Sequence, residues 1–489
     1  MRDLPTDSSS SHFRSTHNTG HHSFIPSTMG GEGPTSGQVA SLVATCFLLA
    51  PRLLRLIGTL IGDIARSSIR GRVPPVHRVA HTPRDCSVIV PITNPDSIDI
   101  ECCLRTILKN HPLYLYIVAV GIENRDRLER RLRHLRKEFP LQHITVGAVT
   151  RRSKRRQIAH ALKSVTTRIS VVVDDNVIWP PGFLGGALGP LEHPVLNCIT
   201  VPKCVRVPLC DSFWTSCWKR LANFQYAYLH VQNRVATAYD FSAIPLGSTV
   251  LYRTYALEQA LDEYEMEHCF FGRIGALTAD EHSFYNLYFL QHDDRFNIPF
   301  TPGTTTEVCI YSFSDFIADC ERHIRSTWRI SANMLTSQQC FRYPWGLCAT
   351  WLSELASFTL IWDAIIVTLF MSTYFYAQNH LSLCWFLLAL FGMKMVEAIM
   401  TMIHMDFRYC DFLGILPLLI FLIPCHYFYT LLKIKALLTY HHIEHAEYKK
   451  LDMERNKSNE PTWLVDSDSL LKEPPKRQYR GLENASFNK

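Results

Sequence analysis

Residues Val171–Gly182 read VVVDDNVIWPPG. Three successive valines predict a buried strand. The chain then turns polar at Asp174, Asp175 and Asn176, ahead of a Trp-Pro-Pro turn. In an open parallel α/β sheet, ligands gather beyond the carboxyl ends of the strands. Two carboxylates and an amide at such an end suit a hard divalent cation that also holds phosphates. Asp and Asn equally make caps and turns, so these residues alone leave both readings open.

The surroundings have the same rhythm. Ser87–Ile92 (SVIVPI), Leu115–Gly121 (LYIVAVG) and His143–Val149 (HITVGAV) are short β-rich runs. Between the first two, Ser97–Asn110 (SIDIECCLRTILKN) has helical spacing of apolar residues. Asp126–Phe139 (DRLERRLRHLRKEF) reads as one charged amphipathic helix. Strands alternating with helices predict a soluble α/β domain over residues 84–335, built on a parallel sheet.

The flanks differ. Residues 1–37 are rich in Ser, His, Thr, Gly and Pro and predict a disordered segment without a cleavable signal peptide. Residues 38–66 form one N-terminal membrane element. It either spans, with Arg52 and Arg55 snorkelling to the inner interface, or lies partly in that interface. Within 349–437, the runs Ser357–Phe375, Leu381–Ile403 and Phe412–Leu432 each approach spanning length and predict three transmembrane helices after an interfacial segment at 336–348. Their interior charges are Asp363, Lys394 and Glu397. The last two stand three apart on one helix, at a spacing that allows them to pair. Residues 438–489 read as a flexible tail, and its HHIEH (His441–His445) lacks the order of a zinc-helix motif.

Bulk composition sets limits. The chain has 489 residues and a net charge of +6, enough length for a soluble domain plus a membrane part. Its 16 cysteines form no CxxC pair and read as small hydrophobes in a reducing compartment. The basic run Arg151–Gln157 (RRSKRRQ) suits a diphosphate, an anionic lipid surface or a merely solvated patch, but it lacks the aromatic interleaving of a nucleic-acid groove, so no nucleic-acid partner is expected.

Two further stretches carry chemistry. Leu277–Phe284 (LTADEHSF) places Asp280 and Glu281 in a polar interruption. Asp319–Arg329 (DCERHIRSTWR) sets Arg322, Arg325, Trp328 and Arg329 at helical spacing just before the apolar block. Arginines pair with diphosphates, and a Trp face stacks on a sugar.

The ordered set TPRDCSVIVPITNP, SKRRQ, VVVDDNVIWP, GSTVLYRT and TADEHSF, followed by the Arg/Trp helix and the apolar runs, resembles the family-2 processive glycosyltransferases. These are the hyaluronan, chitin and cellulose synthase relatives, and the likeness is to their fungal polysaccharide-synthase-like branch over roughly residues 50–435. The resemblance implies a GT-A type nucleotide-sugar-binding domain. It places Asp174 and Asn176, with Asp175 beside them, at a DxD motif that holds the nucleotide and its Mn²⁺ or Mg²⁺. It makes Asp280, beside Glu281, the general base that takes the acceptor hydroxyl's proton. Lys154 falls among donor-nucleotide contacts. Asp319, Arg322 and His323 stand where QxxRW is expected, with Arg325 on the donor side and Trp328 and His323 on the acceptor side. The implied reaction is inverting transfer from a nucleotide-sugar, such as a UDP-sugar, to a growing polysaccharide, which the spans would conduct away.

The sequence departs from that pattern at Asn176, an amide where a carboxylate is expected, and at DCERH, which lacks the Gln and the Trp. No Asp closes LYIVAVG, where Glu123 is the nearest acid. These departures keep open a weakened or inactive membrane scaffold that partners an active synthase, as homo-oligomer or accessory subunit. A phosphohydrolase with Asp174 as nucleophile lacks its catalytic Lys pattern, and a pure transporter leaves the α/β domain unexplained. Arg66, Arg70, Arg72, Arg78 and Arg84 follow the first membrane element and place the catalytic domain in the cytosol, at the plasma membrane or Golgi.

Overall fold

The computed structural model describes residues 34–69, 81–150, 154–192, 196–208, 210–239, 248–261, 304–336, 358–404 and 412–439. Asp280 and Glu281, residues 1–33, all but the first residue of the interfacial segment, Arg151 to Ser153 and the tail beyond 439 lie outside them.

A six-stranded sheet forms the centre. Its strands are β1 (Cys86–Pro91), β2 (Tyr114–Val120), β3 (His143–Val149), β4 (Ile169–Val173), β6 (Cys198–Thr200) and β8 (Thr249–Arg253), in the order β3-β2-β1-β4-β8-β6. Each run alternates between two cores. Val88 and Val90 of β1, Ile117 of β2, Val171 and Val173 of β4 and Leu251 of β8 face one cluster. Ile89, Val118, Val172, Val250 and Tyr252 face the other. Both faces are therefore buried, which is why these strands read as unbroken Val/Ile runs. The first core is covered by α2 (Asp99–Leu108), whose Ile100, Cys103, Leu104, Ile107 and Leu108 lie on one buried stripe. The second is covered by α5 (Lys154–Leu162).

Two expectations need correction. The sheet is mixed: β1, β2, β3 and β4 run parallel, but β8 pairs antiparallel with both β4 and β6. The charged helix is two, α3 (Ile122–Arg131) and α4 (Arg133–Glu138), broken at Leu132. The break lets Leu128, Leu132 and Leu135 all bury against the sheet.

A small second sheet orders β5 (Val177–Ile178), β9 (Thr306–Val308) and β7 (Lys203–Val205). Short helices α6 (Phe183–Ala187) and α8 (Thr254–Gln259) complete the α/β domain.

The long helices are α1 (Ser36–Ile69), α7 (Phe213–Tyr239), α9 (Phe313–Thr336), α10 (Thr359–Met371), α12 (Leu381–His404) and α13 (Phe412–Leu438), with the short α11 (Tyr374–Gln378) between α10 and α12. Among the described residues two segments are long and apolar enough to cross a membrane, Ser36–Gly62 and Leu381–Ile403. Thr359–Met371 is apolar but shorter. Of the three C-terminal runs, Leu381–Ile403 is thus one of these two segments. Lys394 and Glu397 do not pair with each other. Lys394 bonds Asp363 of α10, while Glu397 takes Arg55 of α1 at 2.9 Å. Arg52 also bonds Asp363, so neither α1 arginine snorkels. A charge inside an apolar bundle is retained where another helix supplies its counter-ion.

Candidate active site

The sheet order reverses between β1 and β4: the chain leaves β1 for β2 and β3 on one side and returns through α5 to β4 on the other. That is a topological switch point, where the carboxyl ends of two strands open a crevice. Asp174 and Asp175 follow β4 there, and Ile92 and Thr93 follow β1. Gln157 of α5 fixes the opposite wall by donating to the carbonyls of Ile92 (2.9 Å) and Val118 (2.6 Å).

Lys154 opens α5 and places its Nζ 2.7 Å from Asp174 Oδ1. Asp175 is half-buried. Burial first, then the Asp174 charge, push it up to about 6, against the pull of the Thr93 backbone N–H and Lys154. Asn176 is tied to the small sheet: its Nδ2 donates to the Cys309 carbonyl (3.3 Å), and its own carbonyl accepts from the Cys309 N–H (3.0 Å). The turn beyond is pinned. Trp179 is buried and donates Nε1 to Thr249 Oγ1 (3.2 Å), and Asn110 holds the Pro180 carbonyl (3.2 Å). Gly182 closes the turn at φ 72, which favours glycine.

Two repelling carboxylates and an amide are hard oxygen donors, a set that fits Mg²⁺ or Mn²⁺. Among the described residues no group of three or more His, Cys, Asp or Glu gathers around a metal position. Asp174, Asp175 and Asn176 by themselves would fill only part of the coordination shell of such an ion.

A second polar cluster sits on α9. Tyr226 of α7 donates to Asp319 Oδ2 at 2.9 Å, Lys203 of β7 lies 3.7 Å from the same oxygen, and Arg322 bonds Oδ1. Burial acts to raise Asp319, but Arg322, Lys203 and the Tyr226 hydroxyl outweigh it and hold the carboxyl well below its ordinary range. Burial, with Lys203, Arg322 and Lys433 nearby, pushes His323 down to about 4, so it is neutral at pH 7. The structure thus brings Asp319, Arg322 and His323 together. Arg325 is held by Glu321 at 3.4 Å, and Trp328 packs on Phe358 with ring centroids 5.8 Å apart. Their partners are thus Glu321, one turn earlier on α9, and Phe358, just ahead of α10. Glu123, exposed on α3, pairs with Arg127 at 2.8 Å. Sequence reasoning missed Lys203 and Tyr226. A lone lysine at the head of a three-residue strand and one tyrosine in a long helix carry no local signal.

The sheet order and the acidic end of β4 define a GT-A-like α/β fold with a mixed sheet. Residues 83–325 match the family model described as "Glycosyltransferase like family 2". A type 2 glycosyltransferase of Zymoseptoria tritici is 25% identical over 341 residues, covering 68% of this chain and 67% of that protein. One from Pyricularia oryzae is 23% identical over 337 residues, 66% of each. The chain thus spans about two thirds of the length of these curated relatives. The mannosyltransferase PcManGT from Pyrobaculum calidifontis, solved with GDP-Man and Mn²⁺, superposes with a TM-score of 0.51 at 16% identity, over 83% of this chain and 98% of that one. The chain carries a glycosyltransferase family 2 domain, and its enzyme class is that of a glycosyltransferase.

Proposed function

We propose that this chain is a membrane-attached, inverting glycosyltransferase of the fungal polysaccharide-synthase-like kind. It would transfer a sugar from a nucleotide-sugar, such as a UDP-sugar, to a growing polysaccharide. The observation that carries this reading is the juxtaposition of Asp174, Asp175 and Lys154 at the switch point of the sheet. A divalent cation bound by Asp174 and Asp175, with the Asn176 amide beside them, would neutralise the diphosphate of the donor. Lys154 pairs with Asp174 and is placed to exchange that carboxylate for a phosphate oxygen.

Asp280 is assigned the proton of the acceptor hydroxyl, with Glu281 beside it. The deprotonating oxygen attacks the anomeric carbon while the diphosphate leaves from the opposite face, so the configuration inverts. Arg322 is assigned to the leaving diphosphate, which gains charge as the bond breaks. His323, neutral at pH 7, is assigned to the acceptor as a hydrogen-bonding partner. Arg325 is assigned to the donor side and Trp328 to the acceptor side.

Membrane attachment is supported by the outer faces of α1 and α12, where Phe47 (75% exposed) and Trp385 (72% exposed) stand among other uncovered apolar residues. Basic residues after α1 support a cytosolic catalytic domain. Binding of UDP and GDP to the purified protein, with and without Mn²⁺, tests the site. Metal-dependent binding that Asp174→Asn abolishes is expected. Binding indifferent to metal and to Asp174 would favour the scaffold reading.

A further inference from the structure

Gln157 of α5 is 1% exposed and lies among Ile158, Ala161 and Leu162, which bury against the sheet. Its Nε2 donates to two carbonyls, that of Ile92 just past β1 (2.9 Å) and that of Val118 in β2 (2.6 Å). The Val118 carbonyl also accepts the Ile92 N–H at 2.8 Å. One side chain therefore ties α5 to the neighbouring ends of two strands. Two carbonyl oxygens ask for two N–H groups on one neutral side chain, and an amide supplies them.

Apolar burial cannot do the same task. It follows the area removed from water and has no direction. Ile158, Ala161 and Leu162 hold α5 on the sheet without fixing where it sits along the sheet. The two hydrogen bonds of Gln157 are directional and do fix it. Lys154 stands three residues before Gln157, at a spacing that puts both on one side of the helix. The 2.7 Å contact of Lys154 Nζ with Asp174 is thus set by an anchor one turn away. A slide of α5 by one residue's rise, about 1.5 Å, would open that contact.

We propose that Gln157 is a positioning residue for donor binding. By pinning α5 to Ile92 and Val118, it holds Lys154 beside Asp174, where the donor phosphate is assigned. It acts through Lys154 rather than on the donor. The inference rests on the nucleotide-sugar reading above and deepens it.

A double-mutant cycle on the full, detergent-purified chain tests this. UDP and GDP, each with Mn²⁺, are the probes, and calorimetric titration is the readout. Gln157→Met removes both N–H groups with little change of side-chain length. Gln157→Met and Lys154→Gln are each expected to weaken nucleotide binding by about tenfold. The double variant should also lose about tenfold, because the lysine that Gln157 positions is already gone. A glutamine that only supports the fold predicts a lower thermal midpoint in Gln157→Met with the nucleotide affinity of the parent, and that result would overturn the proposal. So would a loss of about a hundredfold in the double variant, the mark of two independent effects. Where Gln157→Met does not keep native helix content by circular dichroism, Gln157→Asn takes its place in the cycle with the same expectations; it keeps both N–H groups on a shorter side chain. A parent chain that binds neither nucleotide would overturn the donor reading and this proposal with it, an outcome distinct from parent-like binding by Gln157→Met.

Discussion

The Lys154 ammonium stands 2.7 Å from the Asp174 carboxylate, across the mouth of the crevice between β1 and β4. A cation already on the carboxylate competes with a divalent ion but also waits beside the phosphate position. Lys154→Gln is therefore expected to tighten Mn²⁺ binding in the absence of nucleotide and to weaken nucleotide binding by about tenfold. Calorimetric titration of metal and nucleotide separately checks both signs. A loss in both would show that Lys154 only supports the fold.

Asn176 illustrates a conflict between fold and chemistry. Its amide nitrogen donates to the Cys309 carbonyl, a bond that a carboxylate cannot make. Asn176→Asp should cost about 1 kcal/mol of stability, the scale of one lost hydrogen bond at a part-buried site. The added charge should tighten Mn²⁺. Thermal unfolding with and without Mn²⁺ should show a lower midpoint without metal and a larger metal-induced rise than in the parent.

The α9 cluster predicts a pH dependence. His323 takes a proton near 6.5 when unfolded but only at about 4 in the folded chain. The unfolded state binds more protons between these values, so stability from this group is full above pH 6.5 and is lost as pH falls towards 4. His323→Gln should flatten the stability profile in that window. Chemical denaturation at a series of pH values from 7 to 4 measures it, and an unchanged slope would contradict the neutral, buried imidazole.

Asp319 meets Tyr226, Lys203 and Arg322 from three elements. Asp319→Asn leaves the two cations facing each other and should destabilise the chain by about 1–3 kcal/mol, less than a fully buried pair because solvent at Arg322 (41% exposed) screens the charges. Because the folded carboxyl lies below its unfolded value of 3.8, this stabilisation is present above that pH and is lost on acidification. A parent-minus-variant difference that does not shrink in acid would contradict the pairing.

Parts of this were legible in the residues. The Val/Ile runs of β1, β2 and β4 announce strands buried on both faces, and Asp174 and Asp175 announce a polar strand end. Strand direction was not legible, because Thr249–Arg253 reads the same whether it pairs parallel or antiparallel; only the long-range path from β6 decides. Nor were ion-pair partners. Lys394 and Glu397 are neighbours along one helix, but Asp363 and Arg55 reach them from helices distant in sequence. Asp319 likewise finds Lys203 and Tyr226 through folding rather than spacing. Asp280 and Glu281 rest on the motif alone.

The most direct measurement is nucleoside-diphosphate release by the detergent-purified chain, offered a panel of UDP- and GDP-sugars with Mn²⁺ or Mg²⁺, beside Asp174→Asn and Asp280→Asn. The account predicts metal-dependent release from one donor that both substitutions abolish. Release that persists in Asp280→Asn, or none from any donor by a folded protein that binds nucleotide, would contradict it.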